Sequence, residues 1–257
     1  MNRIDQLFHQ KKNNILSIYY PAGYPSLNQT VENLVLLQNR GVDLVEIGIP
    51  FSDPLADGPV IQKAARQALD NGMRLSVLFE QLQDVRQTIT LPLILMGYWN
   101  SVFRFGVEAF LKKCQEVGID GVILPDLPLE EYQQNYEELF RQYGVHNILL
   151  VAPQTTDVRL KKIESLARGF LYMVSSAATT GGVLQKDQAR EAYFRKVGQL
   201  NIPSLIGFGI GNGESFRHAC QFANGAIIGT AFIQALKEGK AEEFLEGFCS
   251  LKVSIEL

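Results

Sequence analysis

The chain has 257 residues, of which 24 are Lys or Arg and 27 are Asp or Glu, for a formal net charge of −3. Near balance without any run of like charge leaves no basic patch for a polyanion, so neither nucleic acid nor a membrane surface is an expected partner. The first residues carry no apolar leader core, and no segment approaches the ~18 uninterrupted apolar residues of a membrane span, so an unexported, cytoplasmic protein is the expectation.

In chain order, short apolar runs alternate with longer amphipathic ones, the pattern of βα units on a parallel sheet. Eight strands are predicted, at 16–20, 44–49, 91–96, 121–124, 148–151, 170–174, 204–207 and 226–228. Apolar residues at helical spacing follow them at 27–39, 60–71, 107–117, 129–143, 158–167, 188–200, 215–222 and 231–238. Extra helices are expected at 4–11, 75–88 and 241–252. Gly41-Val42-Asp43 and Gly118-Ile119-Asp120 both end a helix with Gly and open a strand, a weak internal repeat that Gly169 and Gly225 echo. Eight such units fit an α/β fold, the (β/α)8 TIM barrel, as a single domain over 1–257; the same periodicity also admits an open doubly wound sheet.

Cys114, Cys220 and Cys249 are widely separated and form no C-x-x-C pair, and His9, His146 and His218 have no metal-ligand spacing. No metal and no cofactor are expected, and His146 reads as the start of the fifth strand.

Barrel enzymes place their chemistry just after the strands, at the carboxyl end. There the sequence is polar. Glu46 stands among Leu44, Val45, Ile47 and Ile49, so as part of a buried strand it loses water and holds its proton more readily than free Glu. Asp53 and Asp57 follow in a turn stiffened by Pro50, Pro54, Gly58 and Pro59. Glu46 alone could equally face outward to pair with a helix cation. Tyr98 and Asn100 follow the third strand, and Asp126 follows the fourth, where it reads either as a site residue or as a cap for 129–143. The stretch from Ser175 is rich in hydroxyls, with Gly181-Gly182 able to hinge. Gly207-Phe208-Gly209-Ile210-Gly211 and Gly229-Thr230 end the last two strands, where barrels hold phosphate on backbone N–H groups and a helix start.

With these pieces in place the chain resembles the tryptophan synthase alpha subunit family over nearly its whole length. The run from Glu46 to Gln62 carries the resemblance most strongly, joined by Ala22-Gly23-Tyr24-Pro25, Met96-Gly97-Tyr98-Trp99-Asn100, Pro125-Asp126-Leu127-Pro128, Tyr172 with Ser175 through Gly181, Gly207 through Ile210, and Gly229-Thr230-Ala231. The resemblance implies cleavage of indole-3-glycerol phosphate to indole and glyceraldehyde 3-phosphate. Glu46 would be the general acid/base and Asp57 the second carboxylate, with Tyr172 and Thr180 in support. Phosphate would lie at Gly181, Gly207, Gly209, Gly229 and Thr230, and indole against Tyr19, Ile61, Met96, Ile123, Tyr172 and Phe208. It further implies an α2β2 complex with a beta subunit, which would own the pyridoxal phosphate, met through Asp53, Pro54, Asn100 and Asp126. Pro21, Ser101 and Ser176 depart from the family pattern, and none of them removes a catalytic group. The chemistry agrees with the residues: ring carbon C3 must gain a proton and a side-chain hydroxyl must lose one, and a carboxyl group of raised pKa at a strand end can do both. The competing expectations are another phosphate-binding barrel, a stand-alone indole-releasing lyase, and a regulatory subunit that only binds the ligand.

Overall fold

The strands are apolar on both faces, so each must be covered on both, and a ring of parallel strands inside a ring of helices achieves that. The computed structural model describes residues 1–54, 57–175 and 188–253. In chain order its strands are β1 (Ile15–Pro21), β2 (Leu44–Gly48), β3 (Leu93–Met96), β4 (Gly121–Ile123), β5 (His146–Asn147), β6 (Leu149–Val151), β7 (Leu171–Val174), β8 (Ser204–Gly207) and β9 (Gly225–Ile228). Every pairing is parallel, in the order β5-β4-β3-β2-β1-β9-β8-β7-β6.

The two ends of that order, β5 and β6, are one stave of the barrel. Only Ile148 separates them, and its N–H donates to the Val122 carbonyl at 2.8 Å, so the ring closes through the chain itself. This stave serves β4 with its first half and β7 with its second. It is the fifth predicted strand, begun two residues early at His146, and the open-sheet alternative falls away.

Alternation divides the core in two. Ile15, Leu44, Ile94, Ile123, Ile148, Phe170, Tyr172, Leu205 and Ile227 pack inside the barrel, while Ile18, Val45, Ile47, Leu95, Val122 and Ile206 belong to the larger cluster under the helices. The helix Arg3–Gln10 closes the amino end: Ile4 and Phe8 join the interior cluster, and Ile4 lies against Gly121 and Gly169, at the starts of β4 and β7. Phe8 packs on Phe170 with ring centres 5.5 Å apart. Burying two such side chains contributes about 1.5–3 kcal/mol each.

A polar knot fastens this plug. Asp120, 3% exposed, accepts from Arg3 Nη1 at 3.0 Å on Oδ1, and from Arg86 Nη2 at 2.7 Å and the Leu93 N–H at 2.9 Å on Oδ2. Asn2 Nδ2 donates to the Asp120 carbonyl at 2.7 Å, and His146 Nε2 meets the Asp5 carboxylate at 3.0 Å. Arg86 explains a departure from expectation. In place of one helix over 75–88, the chain forms Leu75–Gln81 and a single 3-10 turn, Val85–Gln87, which lets the guanidinium reach the Gly118 and Leu91 carbonyls besides Asp120. Likewise 129–143 is broken by a π-turn at Tyr132–Tyr136, and a short helix unforeseen in the sequence, Trp99–Phe105, follows β3. Among the described residues no helix is long and apolar enough to cross a membrane. With the amino end stoppered, the carboxyl end is left for chemistry.

Candidate active site

Alternate residues of β2 point inward, so Leu44, Glu46 and Gly48 face the barrel interior while Val45 and Ile47 face the helices. Glu46 is fully buried there. Ser17 Oγ, from β1, donates to its Oε1 at 2.8 Å, and Oε2 has no hydrogen-bond partner among the described residues. Burial lifts the carboxyl from an ordinary 4.5 to about 8, against the smaller downward pull of the Ser17 bond. At neutral pH the group is therefore mainly a carboxylic acid.

Asp57 reaches the same region from the turn before the helix Pro59–Asp70. Gln62, in that helix, pins the turn by donating Nε2 to the Asp57 carbonyl at 2.9 Å and the Pro54 carbonyl at 3.3 Å. The Tyr98 hydroxyl lies 3.4 Å from Asp57 Oδ2, and Phe51 stacks on the Tyr98 ring with centres 4.9 Å apart. Burial raises the Asp57 pKa and the Tyr98 bond opposes the rise.

Two tyrosines flank these carboxyl groups, each lying over a glycine. A β-carbon on Gly48 would come within 2.5 Å of the Tyr19 hydroxyl oxygen, and one on Gly207 would overlap that of Tyr172. Burial first, and the neighbouring carboxylates second, hold both phenols well above 10, so both are neutral donors. Between them opens a cavity of about 250 Å³. Its wall includes Tyr19, Asp57, Ile61, Met96, Tyr172 and Phe208, an apolar slot suited to a flat ring.

The far end of the cavity is made of main chain. Gly209, Gly229 and Thr230 line it, together with Gly211, Asn212, Ser215 and Ala231. The helix Thr230–Lys237 begins at Gly229 with no side-chain cap, so its first N–H groups and its dipole are available to an anion. The neighbouring helix Gly213–Cys220 is capped by its own residues: Asn212 Oδ1 accepts from the Ser215 N–H at 2.9 Å, and Ser215 Oγ accepts from the Asn212 N–H at 3.2 Å. Among the described residues that line the cavity there is no Lys, Arg or His.

A family model described as tryptophan synthase alpha chain matches residues 5–252. The chain is 52% identical over 250 residues to the tryptophan synthase alpha chain of Flavobacterium johnsoniae, covering 95% of this chain and 98% of that one. To the alpha chain of Bacteroides thetaiotaomicron it is 50% identical over 245 residues, covering 95% and 96%. Among solved structures, a tryptophan synthase of Mycobacterium tuberculosis superposes with a TM-score of 0.89 at 30% identity, covering 97% of both chains. The alpha chain of Legionella pneumophila gives 0.84 at 35% identity, covering 98% of this chain and 94% of that one. The chain belongs to the tryptophan synthase alpha chain family.

Membership fixes the TIM-barrel fold and a lyase activity in tryptophan synthesis. Against that background the geometry sorts the residues singled out from the sequence. Tyr19, Asp57, Ile61, Met96, Tyr172, Phe208, Gly209, Gly229 and Thr230 meet around one cavity. Glu46, Ile123 and Gly207 lie behind its wall, Gly207 as the floor under Tyr172 and Ile123 in the interior cluster. Thr180 and Gly181, with Ser176, lie outside the described residues. Asp53, Pro54, Asn100 and Asp126 are away from the cavity, with Asp53, Asn100 and Asp126 exposed. Asp126 does cap a helix, though a different one from that expected: its Oδ1 accepts from the Trp99 N–H at 2.8 Å, at the start of Trp99–Phe105. Tyr98 was noted after the third strand without a role, and Ser17, Asn212 and Ser215 went unassigned in the sequence. Of the three unassigned, only Asn212 carried a legible sign, an Asn ahead of a helix start.

Proposed function

We propose that the chain cleaves indole-3-glycerol phosphate by a retro-aldol reaction to indole and glyceraldehyde 3-phosphate. The observation that carries this is a fully buried carboxyl group, Glu46, with a pKa of about 8 and one oxygen without a partner among the described residues, behind a flat apolar cavity that has a second carboxylate on its wall. The indole ring fits the slot between Tyr172, Phe208, Met96 and Ile61, and the phosphate fits the uncapped helix start at Gly229 and Thr230. Protonated Glu46 gives its proton to C3 of the ring, which becomes an indoleninium cation. Asp57 faces the ring N–H and stabilises that charge. The carboxylate left on Glu46 takes the proton of the hydroxyl on the adjoining side-chain carbon. That carbon becomes an aldehyde, the electrons of the broken carbon–carbon bond return to the ring, and Glu46 ends as it began.

The chain works with a tryptophan synthase beta subunit in an α2β2 complex and hands indole to it, pyridoxal phosphate being the partner's. Asp53, Pro54, Asn100 and Asp126 share the carboxyl face with Phe103, a 60% exposed aromatic residue beside Trp99, and this surface suits a partner at the mouth of the cavity. Steady-state indole release from indole-3-glycerol phosphate, with and without beta subunit, tests the assignment. Release accelerated by the partner is expected, and no release in either condition removes the assignment.

A further inference from the structure

Tyr19 was expected only as apolar wall, and its packing gives it more to do. Its ring spans the cavity lengthwise. At one end, Cδ1 lies 3.2 Å from where a β-carbon on Gly229 would stand, beside the uncapped helix start; at the other, the hydroxyl lies over Gly48, two residues beyond Glu46 on the inward side of β2. A substrate with its phosphate at the first end and its reacting bond near Glu46 must lay its three-carbon chain along this ring.

The hydroxyl at the reacting end is uncommitted. It has no hydrogen-bond partner among the described residues, although the residue lines the cavity. Of the nearby acceptors, Glu46 Oε1 has Ser17 as its donor and Asp57 Oδ2 has Tyr98, while Glu46 Oε2 has no partner among the described residues and so is not bonded to this hydroxyl either. Asp57, Tyr98 and Glu46 all resist its ionisation, so it stays a donor across the working pH range. A donor held over a glycine at the cavity, with no partner among the described residues, is placed to meet an acceptor on the ligand.

Building on the lyase assignment above, we propose that the Tyr19 hydroxyl donates a hydrogen bond to the substrate oxygen on the carbon whose bond to the indole ring breaks. As Glu46 removes the proton from that oxygen, negative charge grows on it, and a fixed donor there stabilises the transition state more than the bound substrate. No atom is transferred to or from Tyr19.

The test is Tyr19→Phe, which keeps the ring against Gly229 and deletes only the oxygen over Gly48. Two quantities are measured with beta subunit present: indole release, and affinity for indolylpropyl phosphate, which has the ring and the phosphate but neither glycerol hydroxyl. The expected result is a fall in kcat of about tenfold to a hundredfold, somewhat below the loss usual for an oxyanion donor, with analogue affinity within about twofold of the parent. A kcat within about twofold of the parent overturns the proposal. So does a matching loss of analogue affinity, because the hydroxyl then shapes the wall and does not touch the reacting oxygen. If the parent itself neither releases indole nor binds the analogue, the lyase assignment has failed, which the variant's own failure cannot imitate.

Discussion

The two ends of the barrel each bury a carboxyl group and treat it in opposite ways. At the amino end, Asp120 is surrounded by Arg3, Arg86 and the Leu93 N–H, with donors on both of its oxygens. At the carboxyl end, Glu46 is just as deep, receives one bond from Ser17, and has no partner for Oε2 among the described residues. A carboxylate with donors on every side is a structural part, since its charge is matched and its oxygens are occupied. A carboxyl group short of donors in a dry interior stays protonated and can give that proton away. In the proposed assignment the same side-chain chemistry thus serves folding at one end and reaction at the other, and the number of donors decides which.

The largest test of this contrast is to neutralise the reactive member. Glu46→Gln keeps the shape and removes the proton, so indole release in the presence of beta subunit should fall by about 10²–10⁴-fold with the far-ultraviolet dichroism unchanged. A folded variant within tenfold of the parent would break the comparison on the reactive side. Neutralising the structural member should do the reverse. Asp120→Ala leaves two guanidinium groups without their shared carboxylate and should lower the unfolding free energy in urea by about 3–5 kcal/mol, while kcat per folded molecule holds. A kcat that falls with stability preserved would show the two ends to be less separate than their packing implies.

A smaller effect sharpens the contrast through pH. Below pH ~4.5 Glu46 is protonated whether the chain is folded or not, and it costs nothing. Between there and its folded pKa of about 8 the unfolded chain releases the proton and the folded chain retains it, so stability falls as pH rises and levels off beyond. The whole span is on the order of a few kcal/mol. Glu46→Gln lacks this penalty, so its melting temperature should rise relative to the parent between pH 5 and pH 8. A gap that stays constant with pH would mean that Glu46 is ionised inside the fold.

Much of this arrangement was legible in the sequence, for a physical reason. A strand buried on both sides is apolar throughout, so all eight staves stood out, and a lone Glu in such a strand, followed by a stiff acidic turn, pointed to the end where the cavity opens. The amino-end knot was not legible, because Arg3, Arg86 and Asp120 lie far apart in sequence and no periodicity links them. The helix Trp99–Phe105 escaped because seven residues are too few to show a helical period, and its cap, Asp126, comes from the next strand's loop. Tyr19 was expected as wall from the family resemblance, while the direction of its hydroxyl depends on Gly48 of another strand.

The anion end of the cavity holds a wider consequence. Its described lining offers main-chain N–H groups, a helix start and hydroxyls, with no side chain of positive charge. Fixed dipoles act over a few ångströms, whereas full charges reach out to the Debye length of about 10 Å at 0.1 M salt. If it holds the phosphate as proposed, such a site recognises an anion that has already arrived and does little to draw one in from solution. Capture should be insensitive to ionic strength, and in the proposed reaction the phosphorylated aldehyde, once cut from its ring, meets only short-range contacts among the described residues and can leave.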